Sequence, residues 1–214
     1  MDQDSNLKQI YSCEDFTIVE KPSGLSCHNA ADSVLSRLGS GFHLVHRLDK
    51  DTSGLLMVTL KPELQERLQL AMQAGEKEYL AVLRGVIEVT SEWQVWDAPI
   101  SDAAESRTNP QGVAGERITA RTLYRAEKNS PYFSLVHCLL QSGRQHQIRK
   151  HAAIAGRPIV GDSRYGNPKD NERILNRYGF SRLALHAHRL SFKWNLQDFA
   201  VVSPLPAEFE RFFA

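Results

Sequence analysis

The order of strand-like and helix-like segments constrains the fold of this chain most strongly. Apolar alternation or continuous apolar runs predict strands at residues 15–20, 54–60, 79–89, 118–124, 132–140 and 183–192. Helical spacing occurs at residues 62–74, which begin with Pro62 and end before Gly75, and at residues 144–155. Because strand and helix do not alternate regularly, the pattern predicts an α+β fold with a largely antiparallel sheet.

The remaining segments set the predicted boundaries. Residues 97–117 and 167–178 carry little apolar periodicity and are expected to be loops. Residues 1–10 are polar and are expected to form an N-terminal tail, followed by one domain over residues 11–214. The tail lacks the pattern of a signal peptide, and no apolar run approaches the roughly 20 residues of a membrane span. We therefore expect a cytoplasmic protein that makes no contact with a membrane.

Charge and metal-ligand patterns exclude some functions. The net charge is +1, so a surface that binds a polyanion must be local. The spacing His43-x-x-His46-x-x-Asp49 has ligand-like residue types, and His186 lies two residues from His188 in a predicted strand. Neither forms a complete metal motif, and no two cysteines form a CxxC pair. No metal site is therefore predicted, and a metal-dependent hydrolase built on His43, His46 and Asp49 is the less favoured alternative.

Two segments carry more charge than a buried environment normally tolerates. In "VHRLDKDTSGLLMV", residues 45–58, four charged residues directly precede a predicted buried strand, where they are costly unless paired or used. In "QSGRQHQIRKHAAIAGRPIVG", residues 141–161, basic residues and glutamines crowd the start of a predicted helix, and no acid is present. We interpret this second segment as a phosphate or RNA site rather than a solvated helix face. By its spacing alone, Tyr79 would be an ordinary core tyrosine.

Five sequence blocks resemble the RluA family of pseudouridine synthases in order and spacing, over roughly residues 11–203. These blocks are "EKPSGL" at 20–25, "HRLDKDTSGLL" at 46–56, "KEYLAVLRG" at 77–85, "SGRQHQIRKHAAIAGRPIVGD" at 142–162 and "LALHAHRLSF" at 183–192. The resemblance implies the pseudouridine synthase fold, with a central mixed, mainly antiparallel sheet, flanking helices and an RNA-binding cleft. It implies isomerisation of uridine in a structured ribosomal or transfer RNA, without a cofactor.

The same resemblance implies three catalytic residues. Asp49 would act at ribose C1′, where breaking the glycosidic bond develops positive charge. Arg149 matches the arginine that pairs with this carboxylate and keeps it ionised. Tyr79 matches the active-site tyrosine, which stacks on uracil. Removal of the C5 proton is a second role, which the weak basicity of a phenol near neutral pH disfavours.

The resemblance also implies residues that contact RNA. Arg47 would occupy the space that the flipped base leaves. The expected phosphate and RNA contacts are Lys21, Arg144, His146 and Lys150, and the expected floor of the base pocket is formed by Leu185 and His186. A monomer is expected. A non-catalytic RNA-binding module on the same fold is the other alternative, but RNA binding alone does not need a carboxylate at position 49.

Overall fold

The computed structural model describes residues 7–28 and 30–214. They belong to two compact units: unit 1 contains the described residues up to Lys77 and residues 186–204, and unit 2 contains residues 78–185 and 205–214. The first six residues of the predicted tail lie outside the described residues, and the first strand begins at Gln9, inside that tail. The expectation of one domain over residues 11–214 stays a prediction.

The described residues form ten strands and four α-helices. The strands are β1 (Gln9–Ser12), β2 (Thr17–Lys21), β3 (His43–Leu44), β4 (Ser53–Thr59), β5 (Glu76–Arg84), β6 (Gln94–Trp96), β7 (Thr122–Asn129), β8 (Phe133–Leu140), β9 (Leu185–Trp194) and β10 (Gln197–Val202). The helices are α1 (Val34–Leu38), α2 (Gln65–Ala74), α3 (Gln147–Ile154) and α4 (Pro168–Tyr178). Short 3-10 turns lie at Pro62–Leu64, Ala114–Glu116 and Ala207–Phe212.

Unit 1 is built on the strand order β1-β2-β4-β9, with β3 paired to β4 and β10 paired to β9. These pairs are antiparallel except for β4 and β9, which run parallel where Ser53 lies opposite His186. Strand β4 is buried along its whole length, which explains its continuous apolar sequence. Its side chains pack with Phe16, Leu68 and Phe192 in one hydrophobic core.

Unit 2 contains the strand order β5-β8-β7-β6. The pairs β6/β7 and β7/β8 are antiparallel, and Val82 and Val136 are fully buried. Helix α3 carries an unusually polar set of buried residues, among them Gln147, Arg149 and Lys150. This burial is the feature of the fold that bears most directly on function.

The α+β architecture with a mixed, mainly antiparallel sheet is confirmed. The predicted helix after Pro62 and its end at Gly75 are confirmed, as is the strand near residues 132–140. The expectation of a loop at residues 167–178 is wrong, because this segment forms α4. Only Ile174 of α4 is buried, so the helix has almost no apolar stripe; its signals are Asn167, which caps Lys169 N–H, and Gly179, which ends it in a left-handed conformation.

Among residues 7–28 and 30–214, no helix is both long enough and apolar enough to cross a bilayer.

Candidate active site

In unit 1, Asp49 lies in the loop that joins β3 to β4. The two strands pair antiparallel, with Leu44 opposite Val58, so residues 45–52 must reverse direction before Ser53, the first residue of β4. Within this loop, Leu48 is buried, Asp49 is half-buried and Arg47 is exposed. The carboxylate is therefore partly shielded from water, while the arginine two residues away is accessible to a large ligand.

The backbone of this loop is fixed by the segment that follows β2. The Lys50 carbonyl accepts from Lys21 Nζ at 2.8 Å and from Gly24 N–H at 2.9 Å, and the Asp51 carbonyl accepts from Ser23 Oγ at 2.6 Å. The Cys27 thiol donates to the Leu48 carbonyl at 3.3 Å.

The Asp49 carbonyl accepts from Thr52 N–H at 3.1 Å, which closes the turn. Four consecutive carbonyls, from Leu48 to Asp51, are therefore hydrogen-bonded. This pattern restrains the backbone that carries the Asp49 carboxylate. The sequence blocks at 20–25 and 46–56 form one local structure.

The predicted phosphate contact of Lys21 is wrong. Its side chain is 0% exposed, and Nζ donates to the carbonyls of Pro22 and Leu25, each at 2.9 Å, in addition to that of Lys50. An ammonium buried among backbone carbonyls cannot reach the phosphate of an RNA bound at the surface. Lys21 instead clamps the Asp49 loop.

The start of β4 is attached to β9 by a close parallel contact. Gly54 lies opposite Ala187 with φ of 112°, and a Cβ at Gly54 would lie 2.3 Å from the Ala187 carbonyl oxygen. Only glycine permits this approach. Beside it, the buried His186 ring contacts Ser53 Oγ through Nδ1 and Ser203 Oγ through Nε2, each at 2.9 Å. These contacts identify what the ring binds; its predicted place in the base pocket stays a prediction.

His46 is not available as a metal ligand through Nε2, because this atom accepts the Met57 N–H at 3.1 Å. Burial, with a smaller contribution from nearby Lys77, lowers the pKa of His46 to about 4, so the ring is neutral at physiological pH. In the part of the chain that the structure describes, no group of three or more His, Cys, Asp or Glu residues could hold a metal ion. The geometry therefore does not support the hydrolase alternative built on His43, His46 and Asp49.

In unit 2, Tyr79 lies on β5 and is buried. Its neighbour Glu78 contacts Nδ1 of His137 on β8, and His137 Nε2 contacts Glu127 at 2.8 Å. Since successive strand residues face opposite sides of a sheet, the Tyr79 ring lies on the face opposite Glu78. The structure thus gives Tyr79 a fixed backbone, and its predicted catalytic role stays a prediction.

Arg149 of α3 forms a buried ion pair that sequence reasoning missed. Its Nε and Nη2 atoms donate to the two carboxylate oxygens of Asp162 at 2.8 and 2.9 Å, and the two side chains are 5% and 0% exposed. The guanidinium also lies 5.3 Å from the centre of the Tyr165 ring. Burial acts to raise the pKa of Asp162, but the Arg149 hydrogen bonds, with the Tyr165 and Arg164 backbone N–H groups, hold it below its usual range.

Asp162 is the last residue of the quoted block at 142–162. A buried arginine requires a carboxylate partner, and this requirement was the available signal. Spacing could not show which acid supplies it, because the partner lies 13 residues away beyond the end of the helix.

Three residues before α3 form a strained turn. The helix begins at Gln147, so Arg144 and His146 precede it instead of lying within it as predicted. His146 has φ of 56°, a left-handed conformation that costs a non-glycine residue about 1–3 kcal/mol, and its Nδ1 lies 2.9 Å from the Tyr165 hydroxyl. Gln147 Oε1 accepts from the Arg144 N–H at 3.1 Å and holds the turn in place. Arg144 is half-exposed and so stays a candidate for a phosphate contact.

The predicted phosphate contact of Lys150 is wrong for the same reason as that of Lys21. The side chain is 0% exposed, and Nζ donates to the carbonyls of Ser101 and Ala103 at 2.8 and 2.7 Å. Lys150 therefore secures the irregular segment at residues 97–121. With Arg149 also buried, the predicted basic stripe is not a continuous surface feature.

Solved structures define the class of this fold. The human protein RNA pseudouridylate synthase domain containing 4 superposes with a TM-score of 0.78 and 22% identity, over 96% of this chain and 91% of that one. Human RNA pseudouridylate synthase domain containing 1 superposes with a TM-score of 0.76 and 26% identity, over 94% of this chain and 84% of that one. The fold is that of pseudouridylate synthases.

The sequence comparisons then identify the family. The RNA pseudouridylate synthase family model matches residues 15–154. Ribosomal large subunit pseudouridine synthase C of Escherichia coli strain K12 is 32% identical over 200 residues, and that of Haemophilus influenzae is 33% identical over 195 residues. The alignments cover 86% and 82% of this chain but 61% and 58% of the two relatives. The chain belongs to the RNA pseudouridylate synthase family, which confirms the RluA-type resemblance, and it spans about three fifths of the length of these relatives.

Proposed function

We propose that this chain isomerises uridine to pseudouridine in RNA, with Asp49 acting at ribose C1′. The observation that carries the proposal is the restrained loop in which the carbonyls from Leu48 to Asp51 are all hydrogen-bonded. Such a loop presents a half-buried carboxylate from a rigid scaffold, which suits covalent or electrostatic action at one atom. Family membership supplies the reaction.

The proposed reaction is balanced without a cofactor. The C1′–N1 bond breaks, uracil turns, C5 bonds to C1′, the C5 proton leaves and N1 gains a proton, so no electrons or groups are exchanged. Positive charge develops at C1′ when the first bond breaks. A carboxylate beside this atom can stabilise the charge or bond to the carbon, as carboxylates do in glycosidases.

Tyr79 and Arg149 are the other proposed catalytic residues. The burial of Tyr79 on β5 suits a ring that stacks on a base, because a strand holds the aromatic plane in a fixed orientation. The Asp162 carboxylate orients the Arg149 guanidinium through two hydrogen bonds. The pairing of Arg149 with Asp49, expected from the resemblance, stays a prediction.

Ribosomal RNA is the proposed substrate, since the relatives from E. coli and H. influenzae are named as synthases of the large ribosomal subunit. Transfer RNA is the alternative.

The uridine must leave its stack to reach a carboxylate held in a loop. Arg47 is exposed in this same loop, and its planar guanidinium suits the space that the base vacates. We still expect a monomeric, cytoplasmic protein. Analytical sedimentation tests the oligomeric state, and cell fractionation tests the location.

Pseudouridine maps of total RNA from cells with and without this gene test the function. At least one ribosomal pseudouridine should disappear when the gene is deleted and return when it is restored. Identical maps would contradict the proposal. Return of the modification with an Asp49→Asn copy would favour the alternative of a non-catalytic RNA-binding module.

A further inference from the structure

A chain of four polar side chains in unit 1 leads from the surface to the first residue of β4. Ser203 Oγ donates to Glu20 Oε1 at 2.8 Å, and His186 Nε2 lies 2.9 Å from Ser203 Oγ. His186 Nδ1 lies 2.9 Å from Ser53 Oγ. Ser203, His186 and Ser53 are buried, whereas Glu20 is half-buried and contacts the exposed Lys8 at 3.2 Å.

The carboxylate at one end sets the direction of the first two hydrogen bonds in this chain, and the third follows for a neutral His186 ring. Burial acts to raise the pKa of Glu20, but the hydrogen bonds from Ser203 and Lys8 bring it below its usual value, so the group is ionised at neutral pH. An ionised carboxylate only accepts, so the single Ser203 proton points to Glu20. Ser203 Oγ must then accept from Nε2–H of His186. In the neutral ring Nδ1 carries no proton, so it accepts from the hydroxyl of Ser53.

The far end of the chain is attached to the Asp49 loop. Ser53 follows Thr52, whose N–H closes the turn by donating to the Asp49 carbonyl. Ser53 also lies opposite His186 in the parallel pairing of β4 with β9. The clamp formed by residues 21–27 thus holds one side of the loop, and His186 holds the residue at which the loop becomes β4.

We infer that Glu20, Ser203 and His186 are positioning residues, which orient Ser53 and through it the loop that carries Asp49. This inference rests on the proposed function, because positioning is measured through turnover. The three residues act through the Asp49 loop. The hydrogen-bonded chain fixes which atom carries each proton, and it transfers no proton during the reaction. Buried polar groups in a fully connected chain favour one geometry over its alternatives.

Unit 1 offers a matched control for removing the central hydroxyl. Ser191 lies on β9, as His186 does, and its buried Oγ has no hydrogen-bond partner. Ser203→Ala and Ser191→Ala therefore delete the same atom, the serine Oγ. That atom belongs to the hydrogen-bonded chain at Ser203 and lies outside it at Ser191. We expect Ser203→Ala to lower kcat on RNA on the order of tenfold with little change in KM, since a small displacement of a catalytic group slows chemistry more than binding.

Ser191→Ala should keep the parental kcat, and Ser203→Thr, which retains the hydroxyl, should restore most of the rate. A Ser203→Ala enzyme with parental kcat but a lower melting temperature would overturn the inference and leave the chain a purely structural feature. Glu20→Gln provides a second variant, at the accessible end of the chain. If the Glu20→Gln and Ser203→Ala enzymes both turned over at the parental rate, the inference would also be overturned.

A measurement that does not depend on RNA separates failure of the chain from failure of the function. Nitrogen NMR of His186 in the intact protein should show the proton on Nε2, and Ser203→Ala should shift the ring toward the other tautomer. A parent that converts uridine but carries the neutral-ring proton on Nδ1 would refute the chain alone. A parent that converts no uridine in any RNA would refute the proposed function, and the positioning role with it.

Discussion

Replacing Lys21 by methionine should destabilise the protein by about 2–4 kcal/mol. Methionine keeps an unbranched side chain of similar length but removes all three donors. The Lys50 carbonyl would keep its bond from Gly24 N–H, whereas the carbonyls of Pro22 and Leu25 would lose the donation from Lys21. Each buried acceptor that loses its donor costs about 1–3 kcal/mol, and relief from burying an ammonium offsets part of the total.

Urea unfolding of the Lys21→Met variant and its parent measures this difference, with Lys193→Met as the control. Lys193 lies in the same unit, its side chain is 66% exposed, and its contact with Asp198 at 3.6 Å should contribute little. Turnover should fall as well, because the Lys50 carbonyl adjoins Asp49. An unfolding free energy within about 0.5 kcal/mol of the parent, as expected for a surface substitution, would refute the clamp.

Three further predictions concern the pairing of Arg149, the exposed loop and metal dependence. Arg149→Met should lower the unfolding free energy by about 3–5 kcal/mol at pH 7, because it leaves the Asp162 carboxylate buried without its partner. The pKa of Asp162 lies below its usual range in the parent and should lie above that range in the variant. The difference in unfolding free energy between parent and variant, measured by urea unfolding, should therefore shrink as pH falls from 7 toward 4. An equal difference at both pH values would contradict the pairing. Arg47→Ala should lose turnover on a stable stem-loop and recover much of it on an RNA whose target uridine is unpaired. The control variant Lys50→Ala should affect both RNAs alike. Equal losses by Arg47→Ala on the two RNAs would indicate that Arg47 is a plain phosphate contact. Exhaustive chelation should leave turnover unchanged, and a loss reversed by zinc would count against the proposed mechanism.

The sequence predicted those parts of the structure that local pattern determines. The continuous apolar run before Thr59 and the Pro62 to Gly75 helix follow from spacing alone, and both are present. Helix α4 was missed because only Ile174 of its residues is buried, so its apolar spacing is weak, and the sequence marks it mainly through Asn167 and Pro168 at its start and Gly179 at its end. Strand β6 has only three residues and so shows no period, and β10 shows little because Val201 is the only buried residue among its six.

The errors at Lys21 and Lys150 have a different origin. Lysine is almost always exposed, so a sequence pattern assigns it to the surface. Each of these ammonium groups donates to at least one backbone carbonyl of a distant segment: Lys50 lies 29 residues from Lys21, and Ser101 lies 49 residues from Lys150. No local pattern records such partners, and the same is true of Asp162 as the partner of Arg149.

Turnover by an Asp49→Asn variant tests the central claim most directly. The amide preserves the shape of the side chain but can neither bond to C1′ nor stabilise its charge. Asp51→Asn makes the same chemical change two residues away in the same loop and should keep the parental rate. Measured on ribosomal RNA that the parent modifies, Asp49→Asn should form no pseudouridine while it unfolds and binds RNA as the parent does. Pseudouridine formation by Asp49→Asn at a rate close to that of Asp51→Asn would contradict the account.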